Sequence, residues 1–113
     1  MGAKSKALLK DADLRDRNFV YRIDKSSKIY KDRQNFVFDI GYCQICGTEY
    51  NLDSPHHALS GSHRKDDRTM ICICCKCHET VHFGDSDTLK KTKEEIVEIG
   101  WQNNQSYLEY KGI

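Results

Sequence analysis

No stretch of this 113-residue chain is apolar enough to span a membrane. Its N-terminus, M-G-A-K-S-K-A-L-L-K, has only two consecutive leucines. Neither a membrane partner nor a secretory leader is therefore expected, and the chain reads as cytoplasmic, in a compartment that keeps thiols reduced. Internal repeats and low-complexity linkers are also missing, which leaves one domain of ordinary size. Apolar residues are in modest supply, 38% against 31% charged. A small domain with so little to bury needs a staple in its middle segment, and a metal is the physically sensible one. Net charge is nearly absent: 18 basic and 17 acidic residues leave +1. Its distribution says more. Residues 1–33 hold ten Lys/Arg and five Asp/Glu, net +5, and the other eighty hold eight and twelve, net −4. A basic arm of this kind suits nucleic acid, and it equally suits a solvated helix face.

What the chain does have is concentrated. All six cysteines and all five histidines fall between Tyr42 and Phe83. Three segments follow: a basic N-terminal extension at 1–41, a metal module at 42–84 and a C-terminal helical segment at 85–113, all within one domain. Residues 1–18 read as a charged helix or tail. Residues 19–33 interleave aromatics with Lys and Arg at a spacing that fits neither helix nor strand, and the aromatics are expected to dock on the body. Asn35–Ile40 is a β-prone run. Strands are expected from His56-His57 and over Thr69–Ile73, with Arg64-Lys65-Asp66-Asp67 as a charged hairpin loop between them. A helix is expected from His78, ending near Gly84. Another is expected over Thr88–Ile99, capped from Asp85–Asp87 and stopped by Gly100, with Leu89, Ile96, Val97 and Ile99 covering the metal module. Trp101, Tyr107, Leu108 and Tyr110 are expected to serve the core or a homodimer face.

The cysteine spacing carries the strongest signal. Cys43-x2-Cys46 and Cys74-x2-Cys77 are identical clamps with 27 residues between them. Each supplies half a tetrahedron, so together they predict a closed four-cysteine zinc site, structural because it has no open position. Adjacent Cys74 and Cys75 disfavour disulfides. Cys75 is the alternative to Cys74 as ligand, but the x2 spacing favours Cys74. Cys72 reads as a small buried apolar residue. His78 and His82, four apart, share a helix face and can hold one cation. His56-His57 is the expected source of a third ligand, and on a strand only one of the two faces the metal. Three protein ligands leave positions open for water or phosphate. His63, in the hairpin loop, is given no role.

The order C-x2-C, H-H, C-x2-C-H-x3-H resembles the HNH (ββα-metal) endonucleases. It is especially similar to small phage nucleases with a built-in four-cysteine zinc, of the Ref-like and NinG/Rap type. The likeness covers residues 42–84. It implies a small α+β fold with a ββα-metal core, flanked by the basic extension and the C-terminal helix or helices. It also implies hydrolysis of DNA phosphodiester bonds, in the host cytoplasm if the protein is phage-encoded. In that scheme His56, His78 and His82 hold a catalytic divalent cation (Mg, Mn, Ni or Zn), and His57 is the general base that activates water. Cys43, Cys46, Cys74 and Cys77 hold structural zinc. Thr69 stands where the family usually has Asn. Arg64, Lys65 and Arg68 are expected to contact backbone phosphates of DNA. The alternative is a non-catalytic zinc module that recognises nucleic acid or a protein, and Thr69 favours it.

Overall fold

A computed structural model of the chain describes residues 14–18, 20–59, 65–84 and 88–112. The sequence run expected to be a strand belongs instead to a helix, α1, Lys28–Phe38. Ser27 caps it by accepting the Tyr30 N–H at 3.1 Å. Tyr30, Arg33 and Val37 recur at steps of three and four, so one helix face is buried. That packing outweighs the intrinsic β preference of Asn35-Phe36-Val37-Phe38, and only Asp39 and Ile40 turn out of the helix towards Gly41.

Two short strands follow, β1 (His56–His57) and β2 (Met70–Ile71). They pair antiparallel, His56 with Ile71 and His57 with Met70. Backbone bonds extend the pairing past both strands: Ala58 N donates to Thr69 O at 2.9 Å and Asp53 N to Ile73 O at 2.9 Å. The described part of the loop between them, from Lys65, is not the exposed charged turn its sequence predicts. Asp66, Asp67, Arg68 and Thr69 are all buried. Residues 60–64, with His63 and Arg64, lie outside the described residues.

Helix α2, Cys75–Phe83, starts three residues before the expected His78. Cys74 is its N-cap, with the sulfur accepting the Cys77 N–H, and Gly84 closes it. Helix α3 runs unbroken from Lys93 to Lys111. A capping box between Thr92 and Glu95 starts it, and Gly112, at φ +75°, ends it. The expected N-caps at 85–87 lie outside the described residues. Gly100 is no stop: it sits mid-helix, where a Cβ would come within 2.6 Å of the Thr69 carbonyl oxygen. Glycine here lets α3 lie directly against the end of β2.

The core is split. Cys43, Ile45, Ile71, Ile73 and Ile96 form one cluster, with Leu89, Val97 and Ile99 packed on it as the stripe predicts. Tyr30, Val37, Met70 and the buried Cys72 form a second under α1, and Leu14, Tyr21, Tyr107 and Leu108 a third. Of the C-terminal aromatics, Trp101 and Tyr107 are buried and Tyr110 is exposed, tilted against Phe36 at 5.2 Å. Asn103 ties α3 to the rest, donating to Met70 O at 2.9 Å and to Gln44 Oε1 at 2.7 Å. Among the described residues, no helix is long and apolar enough to cross a membrane.

Candidate metal centre

Cys43, Cys46, Cys74 and Cys77 present their four sulfurs within 4.8 Å of one another. The loop Cys43–Gly47 folds back on itself, with Gly47 N donating to Cys43 O at 2.8 Å and Gly47 in the left-handed region at φ +86°. The start of α2 supplies the other pair. Cys46 Sγ and Cys74 Sγ are 3.8 Å apart; zinc with bonds of ~2.3 Å to sulfur spaces tetrahedral ligands ~3.8 Å apart. Burial opposes ionisation of Cys43, but the N–H groups of Cys46, Cys74 and Ile45 prevail and bring its thiol down to about 7. Burial, and then the neighbouring sulfurs, push Cys77 up. Four sulfurs this close become four thiolates only around a cation, and the set fits a closed metal site such as zinc. Cys75 is exposed and outside the set, so Cys74 is the fourth member.

A second group joins the same helix to β1. His56, His78 and His82 bring ring nitrogens within 4.8 Å of one another, with ring centroids 4.8–5.2 Å apart. Burial, then repulsion from His78 and His82, lowers His56 to about 4. Its ring is therefore neutral at pH 7, with a lone pair to offer. Asp53 Oδ2 lies 3.0 Å from His78 Nδ1. That bond holds the Asp53 carboxyl below its usual range, fixes the imidazole and leaves Nε2 for a metal. His82 is exposed at the outer edge, beside Phe83. The donors are all imidazole, and three of them leave an ion with open positions, so the residues fit a transition-metal site of the open kind.

His57 takes the other side of β1, as strand alternation requires. Its ring stacks near Tyr30, centroids 6.3 Å apart, and is 9% exposed. Nε2 lies 2.7 Å from Asp67 Oδ1. The other oxygen, Asp67 Oδ2, accepts the Ile23 N–H at 2.6 Å. Burial works to raise Asp67, but the His57 and Ile23 bonds win and hold its carboxyl below the ordinary value. An ionised carboxylate only accepts, so the proton of that contact sits on His57 Nε2. In that tautomer the lone pair is on Nδ1.

The remaining expected site residues are placed differently. Thr69 is fully buried, and its hydroxyl is committed to the loop, donating to Asp66 O at 3.0 Å and accepting the Leu59 N–H at 3.2 Å. It holds the turn that carries Asp67. Arg68 offers nothing to a phosphate backbone. It is buried, forked onto Asp66 (Nε–Oδ1 3.0 Å, Nη2–Oδ2 2.9 Å), donates to Asp16 O at 2.7 Å and lies over Trp101. Lys65 remains half-buried at the surface, with the Arg22 Nε donating to its carbonyl at 3.3 Å. Arg64 lies outside the described residues.

No protein-family model, curated protein or solved structure matches the chain.

Asp53 and Asp67 are the residues the sequence did not single out. The first reads as a turn residue and the second as part of a solvated charge run. A usable signal was present for both: a metal-ligating or basic histidine needs an acceptor for its second nitrogen, and each Asp falls within about ten residues of the His56-His57 pair.

Proposed function

We propose that the chain is a metal-dependent nuclease of the HNH type, hydrolysing phosphodiester bonds of DNA. One observation carries the reading. Adjacent residues of β1 feed two different constellations, an open three-histidine cluster through His56 and a carboxylate-oriented imidazole through His57. A divalent cation held by His56, His78 and His82 would neutralise charge on the scissile phosphate and on the departing oxygen. The chain's own residues do the rest. Asp67 fixes the His57 tautomer and stabilises the imidazolium that forms when Nδ1 takes the proton of water. Asp53 orients His78. The four cysteines fasten the knuckle to the start of α2 and have no open position for chemistry. Lys65 supplies positive charge to a nearby backbone phosphate.

The test is plasmid cleavage with Mg, Mn, Ni or Zn, beside His57→Ala. The parent should nick or linearise supercoiled DNA, and the variant should be slower by about 10²–10⁴-fold while retaining its metals. Equal cleavage by both sinks the role of His57. The burial of His57 favours a second reading, a non-catalytic zinc module in which His57–Asp67 is a structural pair. Folded, zinc-loaded protein that cuts under no metal selects that reading.

A further inference from the structure

A cleft of about 630 Å³ opens against the histidine cluster, with His56 in its wall. That volume falls within the ~300–1,000 Å³ typical of ligand sites. Its lining includes the apolar residues Ala58, Val81, Leu89 and Ile96. The segment entering α3 also lines it, and there positive charge outnumbers negative: Lys90, Lys91 and Lys93 all line the cleft. Lys90 and Lys93 are exposed and Lys91 half-buried. Among the described residues none of the three makes a salt bridge. Glu95 also lines the cleft, but its carboxylate is held in the capping box, accepting the Thr92 N–H at 2.8 Å. Three lysines against one carboxylate, which already attracts Lys91, leave this stretch of the lining net positive, and that suits an anion. Apolar residues in the same lining suit a ligand with both charged and uncharged parts.

We infer that this cleft seats the sugar-phosphate backbone of a nucleic acid, with Lys90, Lys91 and Lys93 as phosphate contacts leading to the histidine cluster. The inference rests on the nuclease reading for its direction, since it delivers a phosphate to His56, but not for its test. These lysines take the role expected of Arg68, which is buried and paired. Backbone contacts of this kind supply affinity and register without sequence preference.

The test is binding of labelled DNA, duplex and single-stranded, and of matching RNA, measured by fluorescence anisotropy over a salt series with no added divalent cation. Full-length protein is compared with a Lys90→Ala/Lys91→Ala/Lys93→Ala variant and with the corresponding triple Lys→Arg variant, all with zinc content checked. The slope of log Kd against log salt should fall by roughly 0.9 per lost contact on duplex, or ~0.7 on single strands. The Arg variant should keep the parental slope. An unchanged slope in the Ala variant overturns the proposal, as does a parent that binds neither DNA nor RNA, or an Arg variant that behaves like Ala. A lysine-dependent slope in a protein that cuts nothing keeps the cleft and sinks the nuclease. Cleavage with a lysine-independent slope does the reverse. Whichever nucleic acid shows the larger lysine-dependent slope is the one the cleft takes.

Discussion

His57 Nε2 and Asp67 Oδ1 lie 2.7 Å apart, both side chains nearly closed to solvent, in a loop whose charge pattern suggests exposure. The pair sits beside a second buried pair, Arg68 on Asp66, one residue away on each side of the turn. Two carboxylates and one guanidinium are thereby kept dry together. Breaking one member leaves an uncompensated charge, which is costly.

Asp67→Asn preserves shape and removes the charge. The amide can present its NH2 to Nε2 and move the ring proton to Nδ1, abolishing the free lone pair there. Cleavage kcat should fall by about 10²–10⁴-fold with KM little changed. A change confined to KM would count against a proton-transfer role for His57.

Asp53→Ala removes the acceptor that orients His78. Affinity of the histidine cluster for Ni or Mn, followed by calorimetry on zinc-loaded protein, should drop by about 10–100-fold. Zinc at the cysteines should stay. Unaltered affinity would mean that His78 needs no orientation.

Cys74→Ser separates two duties of one residue. Serine can still cap α2, so the loss should fall on the metal. Zinc per chain, by elemental analysis, should collapse, and the fold of residues 42–84 with it. Cys75→Ser should leave zinc content unchanged, and metal loss there would reassign the ligand.

Tyr107→Phe probes a pH-dependent tie between α1 and α3. The Tyr107 hydroxyl donates to Asp32 Oδ2 at 2.7 Å and Lys111 lies 3.1 Å away. These bonds hold the Asp32 carboxyl below its usual range. A depressed folded pKa stabilises above the unfolded value, about 3.9, and that contribution fades as pH falls through the folded value. Urea denaturation of parent and variant should therefore differ by about 0.5–1.5 kcal/mol at neutral pH, and the two curves should converge below about pH 4. A gap that persists in acid would place its origin in packing alone.

Gly100→Ala tests why a glycine stands mid-helix. Alanine gains up to about 1 kcal/mol of helix propensity, but its methyl would meet the Thr69 carbonyl oxygen at 2.6 Å. Net destabilisation of about 1–3 kcal/mol is expected by thermal or urea unfolding. Stabilisation would mean that α3 and β2 part easily.

The metal module was legible because ligand chemistry is written in residue type and spacing. Cys43-x2-Cys46 and Cys74-x2-Cys77 do meet, and His78 and His82 face His56. The rest depended on partners distant in the chain. Asp66, Asp67 and Arg68 look solvated in a one-dimensional string; they are buried because each finds a mate in the other, in His57, or in the backbone of Tyr21 and Ile23. Asn35–Phe38 has β-prone side chains, and only the spacing of Tyr30, Arg33 and Val37 against the body makes it helical. Gly100 reads as a terminator unless the Thr69 carbonyl is known to lie behind it.

Cys77 and His78 are neighbours on the first turns of α2, and Cys74 caps that helix. The two metal groups are thus wired in series. Cys74 and Cys77 lie at the start of the helix that carries His78 and His82 to His56. In the proposed reading the sulfur site should fill first and set the helix, and the imidazole site should gain its affinity as a consequence. A chelator that strips the histidines alone should leave a protein that recovers when metal is restored, while one that strips the cysteines takes both sites at once.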